Sequence, residues 1–238
     1  MIHSLRCLPV AQQPIQTSNI EIAINGHSVP AYQCLPVGDG PFPGVIVIQE
    51  WWGLEPHIKD ITERYAREGY AAVAPDLYHG EVTSEPDEAR KLVMALDRPR
   101  AVSEVVGTVG YIKSQGFSNG KVGTVGYCMG GGLSIATACN TENLDAAIIY
   151  YGSNPDADQL ANVTCPVLGL YGGDDDGIPI STVVDLSVAL EKNGTPYEVH
   201  IYGAAPHAFF NDTRESYRAE ASAHSWTSTL EFFSKNLS

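Results

Sequence analysis

The residues best suited to chemistry are Gly126-Tyr127-Cys128-Met129-Gly130-Gly131-Gly132. A thiol sits between glycines where the strand-like run 121–126 gives way to a helical pattern. This is the nucleophile-elbow spacing G-x-S-x-G with cysteine in the serine position. A strand-to-helix bend this tight leaves the flanking positions no room for side chains, so glycine stands there. The same bend thrusts the central side chain outwards. Unpaired N–H groups and the positive dipole end of the following helix favour a thiolate, the nucleophilic form of cysteine. The Met129 N–H would face an oxyanion formed at the attacked carbonyl. The chemistry expected is acyl transfer through Cys128.

Such a thiol needs an imidazole to hold and shuttle the proton, and a carboxylate to orient that imidazole. The strand 167–171 runs into Gly172-Gly173-Asp174-Asp175-Asp176-Gly177-Ile178-Pro179, which offers three carboxylates. The strand 197–202 runs into Gly203-Ala204-Ala205-Pro206-His207-Ala208-Phe209. Nucleophile, acid, histidine is the chain order of α/β hydrolases. The six other histidines fit less well. His3 and His27 lie near the N-terminus, His57 at a helix start, His79 in a loop, His200 inside a strand and His224 on the last helix. Only His207 follows the acid-bearing loop with the right topology.

These groups must be held by a scaffold, and the rest of the chain supplies one. Residues 20–24 and 29–35 alternate apolar and polar around Asn25-Gly26, a favoured two-residue hairpin turn. Residues 44–49 (GVIVIQ) form a continuous β-branched run of the kind buried on both faces of a sheet. Further strands are expected at 71–74, 121–126, 146–151, 167–171 and 197–202. Helical stripes fall between them at Ile58/Ile61/Tyr65, Ala89/Leu92/Val93/Leu96 and Val102/Val105/Val106/Val109/Ile112. Two more helices are expected at 129–140 and 181–193, and a last one carries Trp226, Leu230, Phe233 and Leu237. The alternation predicts a single α/β domain over 1–238: a mostly parallel sheet with helices on both faces, and an N-terminal extension at 1–19. Ligands of such sheets bind beyond the carboxyl ends of the strands. Cys128, the aspartates and His207 all fall there.

Composition narrows the partners. With 14 Lys and Arg against 28 Asp and Glu, the net charge is −14, which disfavours nucleic acid. No apolar run reaches the roughly 20 residues of a membrane span, and the N-terminus lacks signal-peptide character, so a cytoplasmic protein is expected. The five cysteines include no C-x-x-C pair. Cys7, Cys34, Cys139 and Cys165 therefore read as small buried hydrophobes, and neither a metal nor an organic cofactor is expected. The oligomeric state is left open.

Read together, these segments resemble the dienelactone hydrolase (carboxymethylenebutenolidase) family of α/β hydrolases, over roughly residues 20–237. The resemblance rests on Val47-Ile48-Gln49-Glu50-Trp51-Trp52-Gly53, Ala74-Pro75-Asp76-Leu77-Tyr78, the elbow, Asp175-Asp176-Gly177-Ile178-Pro179, and Tyr202-Gly203 leading to His207-Ala208-Phe209. It implies Asp175 as the orienting acid. It implies that Glu50 faces the cysteine and controls its ionisation, and that Trp51 gives the second oxyanion N–H beside Met129. The implied activity is hydrolysis of a small lactone or carboxylic ester. A general ester or thioester hydrolase, or a non-catalytic binding module on the same scaffold, are the alternatives. Trp52, Tyr78, Tyr127 and Phe209 are candidate pocket residues. One departure stands out. The best-known dienelactone-cleaving members clamp the substrate carboxylate with two arginines, at positions that are Gly80 and Asn211 here. His79, Arg98 and Arg214 are near them in sequence.

Overall fold

The computed structural model describes residues 13–238. Strands β1 (Ile15–Ile24) and β2 (His27–Pro36) form the expected hairpin. Its turn residues Asn25 and Gly26 have φ of 51° and 81°, as a type I′ turn requires. One expectation is corrected here. Residues 15–19 are not an extension but the first half of β1, paired with β2 from Ile15↔Pro36 to Asn19↔Tyr32. Thr17, Ser18 and Asn19 hide this in the sequence, because an edge strand with little burial tolerates polar residues on both faces. Cys7, His3 and the rest of 1–12 lie outside the described residues.

The remaining elements follow in alternation: β3 (Phe42–Ile48), α1 (Pro56–Arg67), β4 (Ala71–Pro75), α2 (Pro86–Ala95), α3 (Arg98–Ser114), β5 (Ser118–Tyr127), α4 (Met129–Ala138), β6 (Ala146–Tyr150), α5 (Ala157–Leu160), β7 (Val167–Gly172), α6 (Ile180–Asn193), β8 (Tyr197–Tyr202) and α7 (Ala219–Asn236). They build one eight-stranded sheet, ordered β1-β2-β4-β3-β5-β6-β7-β8. Six strands, β4 to β8 in that order, are parallel, and the hairpin adds antiparallel through β2. The one-turn helix α5 leaves no mark in the sequence, since four residues are too few to show a 3.6-residue period.

Strand alternation sorts the core into two layers. Ile46, Ile48, Val122, Ala147 and Ile149 face α3, α4 and α6. Val45, Val47, Val125, Ile148 and Tyr150 face α1 and α7. Both faces of β3 and β6 are therefore buried, which accounts for their unbroken apolar runs. Cys34, Cys139 and Cys165 are buried as expected. Among the described residues no helix is long and apolar enough to cross a membrane.

This topology brings the carboxyl ends of β3, β5, β6, β7 and β8 side by side. The residues just beyond them are Glu50, Cys128, Tyr151, Asp175 and His207.

Candidate active site

Cys128 is the N-cap of α4, with φ 56° and ψ −116°. A non-glycine residue held at positive φ is strained, and here the strain turns the chain from β5 into α4 within one residue. The bend survives only because its neighbours lack Cβ atoms. A Cβ on Gly126 would lie 1.8 Å from the Gly130 carbonyl oxygen, and one on Gly130 would lie 2.4 Å from that of Ile48. The second approach seats the start of α4 against the end of β3. Met129 opens α4, so its N–H has no partner within the helix. The Trp51 N–H donates to no backbone group of the described residues. The Met129 N–H thus adjoins the thiol, which is itself partly exposed.

His207 lies near enough to Cys128 for the thiol to raise its ionisation. Its Nδ1 donates to Asp175 Oδ2 at 2.7 Å, which leaves Nε2 as the ring nitrogen free for another partner. Asp175 is fixed in turn: its Oδ1 accepts from the N–H groups of Gly177 (2.8 Å) and Ile178 (3.0 Å). Burial raises the Asp175 carboxyl, but the His207 hydrogen bond, the imidazolium charge and these two N–H groups outweigh it and hold it below its ordinary value. Burial lowers His207, yet the Asp175 hydrogen bond, then the hydrogen bond and charge of Cys128, push it up to about 10. The direction of that shift favours the imidazolium form.

Glu50 is 1% exposed, and its hydrogen bonds go to two residues whose part in the site no sequence pattern announces. Asn211 Nδ2 donates to Oε2 at 2.8 Å, and the Tyr151 hydroxyl donates to Oε1 at 3.3 Å. The hydrogen bonds of Glu50 thus go sideways, and none goes to Cys128. Burial pushes its carboxyl up to about 6, against the pull of Asn211 and of the His207 charge. Tyr151 carries a second signature of a working site: its φ is 41°, and its ring meets that of His207 edge-on at 5.1 Å. Its place, directly after β6, is the signal that could have found it.

The raised Glu50 carboxyl has a consequence for stability. With a folded value of about 6 against an ordinary 4.5, the unfolded chain ionises first as pH rises. Stability from this group is therefore complete below about pH 4.5, falls through the window to pH 6, and stays lower above it. The deficit is about 2 kcal/mol. Glu50→Gln keeps an acceptor for Asn211 and gives Tyr151 an N–H partner, and so should raise the melting midpoint at pH 7.5 by about 5 °C. Melts of both proteins are expected to converge at pH 4.5; a constant offset across that range would contradict the assignment.

The candidate pocket residues divide. The Tyr78 hydroxyl donates to Met129 Sδ at 3.3 Å, next to the nucleophile position in sequence. Trp51 packs edge-on against Trp52 at 4.9 Å, and the Arg214 guanidinium lies 4.0 Å over the Trp52 ring. Tyr127 and Phe209 are corrected: both are fully buried on the α1/α7 side. Tyr127 stacks between Tyr150 and Phe210 and its hydroxyl meets that of Tyr65 at 3.0 Å. Phe209 packs on Tyr150, Tyr151 and Tyr202. The reason is that both lie in the core layer covered by α1 and α7.

A cavity of about 860 Å³ lies between β8 and α7, but none of its lining residues belongs to this constellation. The convergent groups sit at the strand ends instead, where open α/β sheets place their chemistry. Among the described residues no cluster of three or more His, Cys, Asp or Glu is arranged to hold a metal.

Comparison with known proteins is consistent with this geometry. The sequence profile described as the Dienelactone hydrolase family matches residues 29–237. A protein of Methylorubrum extorquens, named provisionally as a carboxymethylenebutenolidase, is 33% identical over 231 residues, covering 90% of this chain and 79% of the relative. Protein usf of Aquifex pyrophilus is 34% identical over 233 residues, covering 92% and 98%. A crystal structure from Klebsiella pneumoniae, named provisionally as a dienelactone hydrolase, superimposes with a TM-score of 0.86 at 32% identity, covering 93% of this chain and 99% of the other.

Proposed function

Since the chain belongs to the dienelactone hydrolase family, hydrolases of ester bonds, we propose that it cleaves a small carboxylic ester or lactone through a Cys128 thioester. The observation that carries this reading is the 2.7 Å bond between His207 and Asp175, with Cys128 near enough to raise the imidazole. The thiolate attacks the carbonyl carbon, and the developing oxyanion takes hydrogen bonds from the Met129 and Trp51 N–H groups. His207 gives its Nε2 proton to the departing alkoxide. The ring, now neutral and still held by Asp175, draws a proton from water as that water attacks the thioester. Cys128 leaves as thiolate and His207 is again its cation.

Incubation with 4-nitrophenyl acetate, rapid acid quench and peptide mass spectrometry tests this directly. An acetyl group on Cys128, forming and decaying at the rate of turnover, is the expected result. Turnover with no acylated Cys128 would remove the mechanism. Parallel assay of cis-dienelactone addresses the missing arginines. Gly80 and Asn211 cannot clamp a carboxylate, so the neutral ester is expected to be the better substrate.

Asp175→Asn is expected to lower kcat/KM on the order of 10²-fold. An amide donates to Nδ1 as readily as it accepts, which lets the ring present the wrong tautomer to the sulfur. The loss should be smaller than the ~10⁴-fold of a serine triad, because a thiolate attacks without further deprotonation. The high imidazole value rests largely on Asp175. The basic limb of the pH–rate profile should therefore move to lower pH in the variant.

A further inference from the structure

β8 ends the sheet opposite β1, and among the described residues no strand pairs with its outer edge. Every other parallel strand has a run of buried residues, whereas no residue of β8 is buried. The carbonyl groups of Pro196 and Tyr202 accept from Val167 and Gly173, on the β7 side. Main-chain groups alternate in direction along a strand, so Tyr197, Val199 and Ile201 turn their N–H and C=O groups to the open edge. Natural edges are guarded by lysine, proline or a bulge. β8 has none of these, while β1 at the far edge carries Thr17, Ser18, Asn19 and Glu21.

The flanks of this edge are open as well. Val199 and Ile201 line a groove of about 470 Å³ beside α6, whose Val184 and Val188 are 51% and 61% exposed. Ile201 is itself 45% exposed. On the other side the cavity of about 860 Å³ opens between β8 and α7.

Register and charge select the occupant. A second copy of β8 can add antiparallel about a two-fold axis, provided that outward-facing residues meet outward-facing residues. An axis at Glu198 would set the two carboxylates against each other, and one at His200 would set imidazole against imidazole. Axes nearer either end of the strand lose pairs. Centred on Val199, the pairing is self-complementary. Val199 meets its own copy, and Tyr197 and Ile201 meet crosswise, which makes an apolar seam on the α6 side. On the α7 side Glu198 faces the partner's His200, and the symmetry repeats the contact. Glu198 Oε1 lies 3.6 Å from Lys235 and His200 packs 5.5 Å from His224, so each keeps polar atoms for the other copy.

We propose that the chain forms a two-fold dimer through β8, joining two sheets into one with about six main-chain hydrogen bonds at the seam. The two α6 helices flank the axis and bring Val184 and Val188 under cover. Both β8 edges are consumed, so the assembly closes at two. The dimer does not depend on Cys128 being the nucleophile.

Sedimentation of the wild type at about 100 μM, above the micromolar limit of standard interfaces, is expected to give twice the chain mass. Ile201→Lys sets a cation into the apolar seam, opposite the partner's Tyr197. Val199→Pro removes the central N–H, which the β7 ladder does not use. Each should weaken association at least about tenfold and keep the wild-type circular dichroism. Oxidative crosslinking reads the register. Val199→Cys should link to its own copy above the wild-type background, because such a pair stands about 5.5 Å apart at Cα. His200→Cys should not, since it faces the partner's Glu198. A monomeric wild type, an assembly larger than two, variants that stay dimeric, or stronger linking at 200 than at 199 would overturn the proposal. If Val199→Pro fails to fold, Ile201→Lys and the crosslinks still decide it.

Discussion

Replacing Cys128 by alanine is expected to lower kcat for 4-nitrophenyl acetate on the order of 10⁴-fold or more, while leaving the fold intact. In the proposed mechanism the sulfur is the atom that bonds to the acyl carbon. His207 and the two N–H groups remain, but without it they offer only general-base and oxyanion assistance to water. The fold should survive because the strain at residue 128 belongs to the backbone, and alanine at φ 56° carries much the same burden as cysteine. The thiol is also only partly buried, so its loss opens little core volume. Steady-state rates at pH 7.5, with melting curves of both proteins, check the claim. Unchanged turnover in Cys128→Ala would end the proposed mechanism, whatever the geometry of the relay.

The second large effect concerns the bend itself. Gly126→Ala is expected to cost about 3–5 kcal/mol of stability, the range of the severest single substitutions, and to abolish activity in whatever still folds. The new methyl would sit 1.8 Å from the Gly130 carbonyl oxygen and 2.7 Å from the Gly131 nitrogen. Both are backbone atoms and cannot swing aside. Relief requires α4 to draw away from β5, which carries Met129 and its N–H out of register with Cys128. Gly110→Ala is the natural control. It lies within α3, and a methyl there would meet nothing within 4 Å, so alanine should be neutral or stabilising by about 0.5–1 kcal/mol. Urea unfolding of the two variants separates them. A Gly126→Ala protein with wild-type midpoint and rate would show that the elbow tolerates a side chain where the packing leaves none.

Much of this molecule is legible without coordinates. The elbow can be read because its constraint is local: a strand-to-helix turn needs glycine within two residues of the nucleophile, and spacing records that directly. The parallel sheet can be read because strands such as β3 and β6 are buried on both faces and so lose their polar alternation. His207 is singled out by its place after the acid-bearing loop. Among the aspartates, chemistry alone leaves three choices, and family resemblance points to Asp175. Where local patterns weaken, legibility ends. β1 begins earlier than its pattern suggests because its first residues are exposed, and α5 is invisible because one turn has no period.

The partners of Glu50 could come only from the fold. Tyr151 and Asn211 stand 101 and 161 residues away along the chain. Tyr151 meets the carboxylate because the crossovers set the ends of β3, β5 and β6 side by side, and Asn211 because the loop after β8 returns to them. Burial of Tyr127 and Phe209 is the same kind of fact, decided by which distant elements pack over them. A chain records in its own order what neighbouring residues demand of each other: turns, strand periods, the glycine-flanked thiol. Contacts between distant segments depend on packing summed over the whole core, and so they exist only once the sheet is assembled.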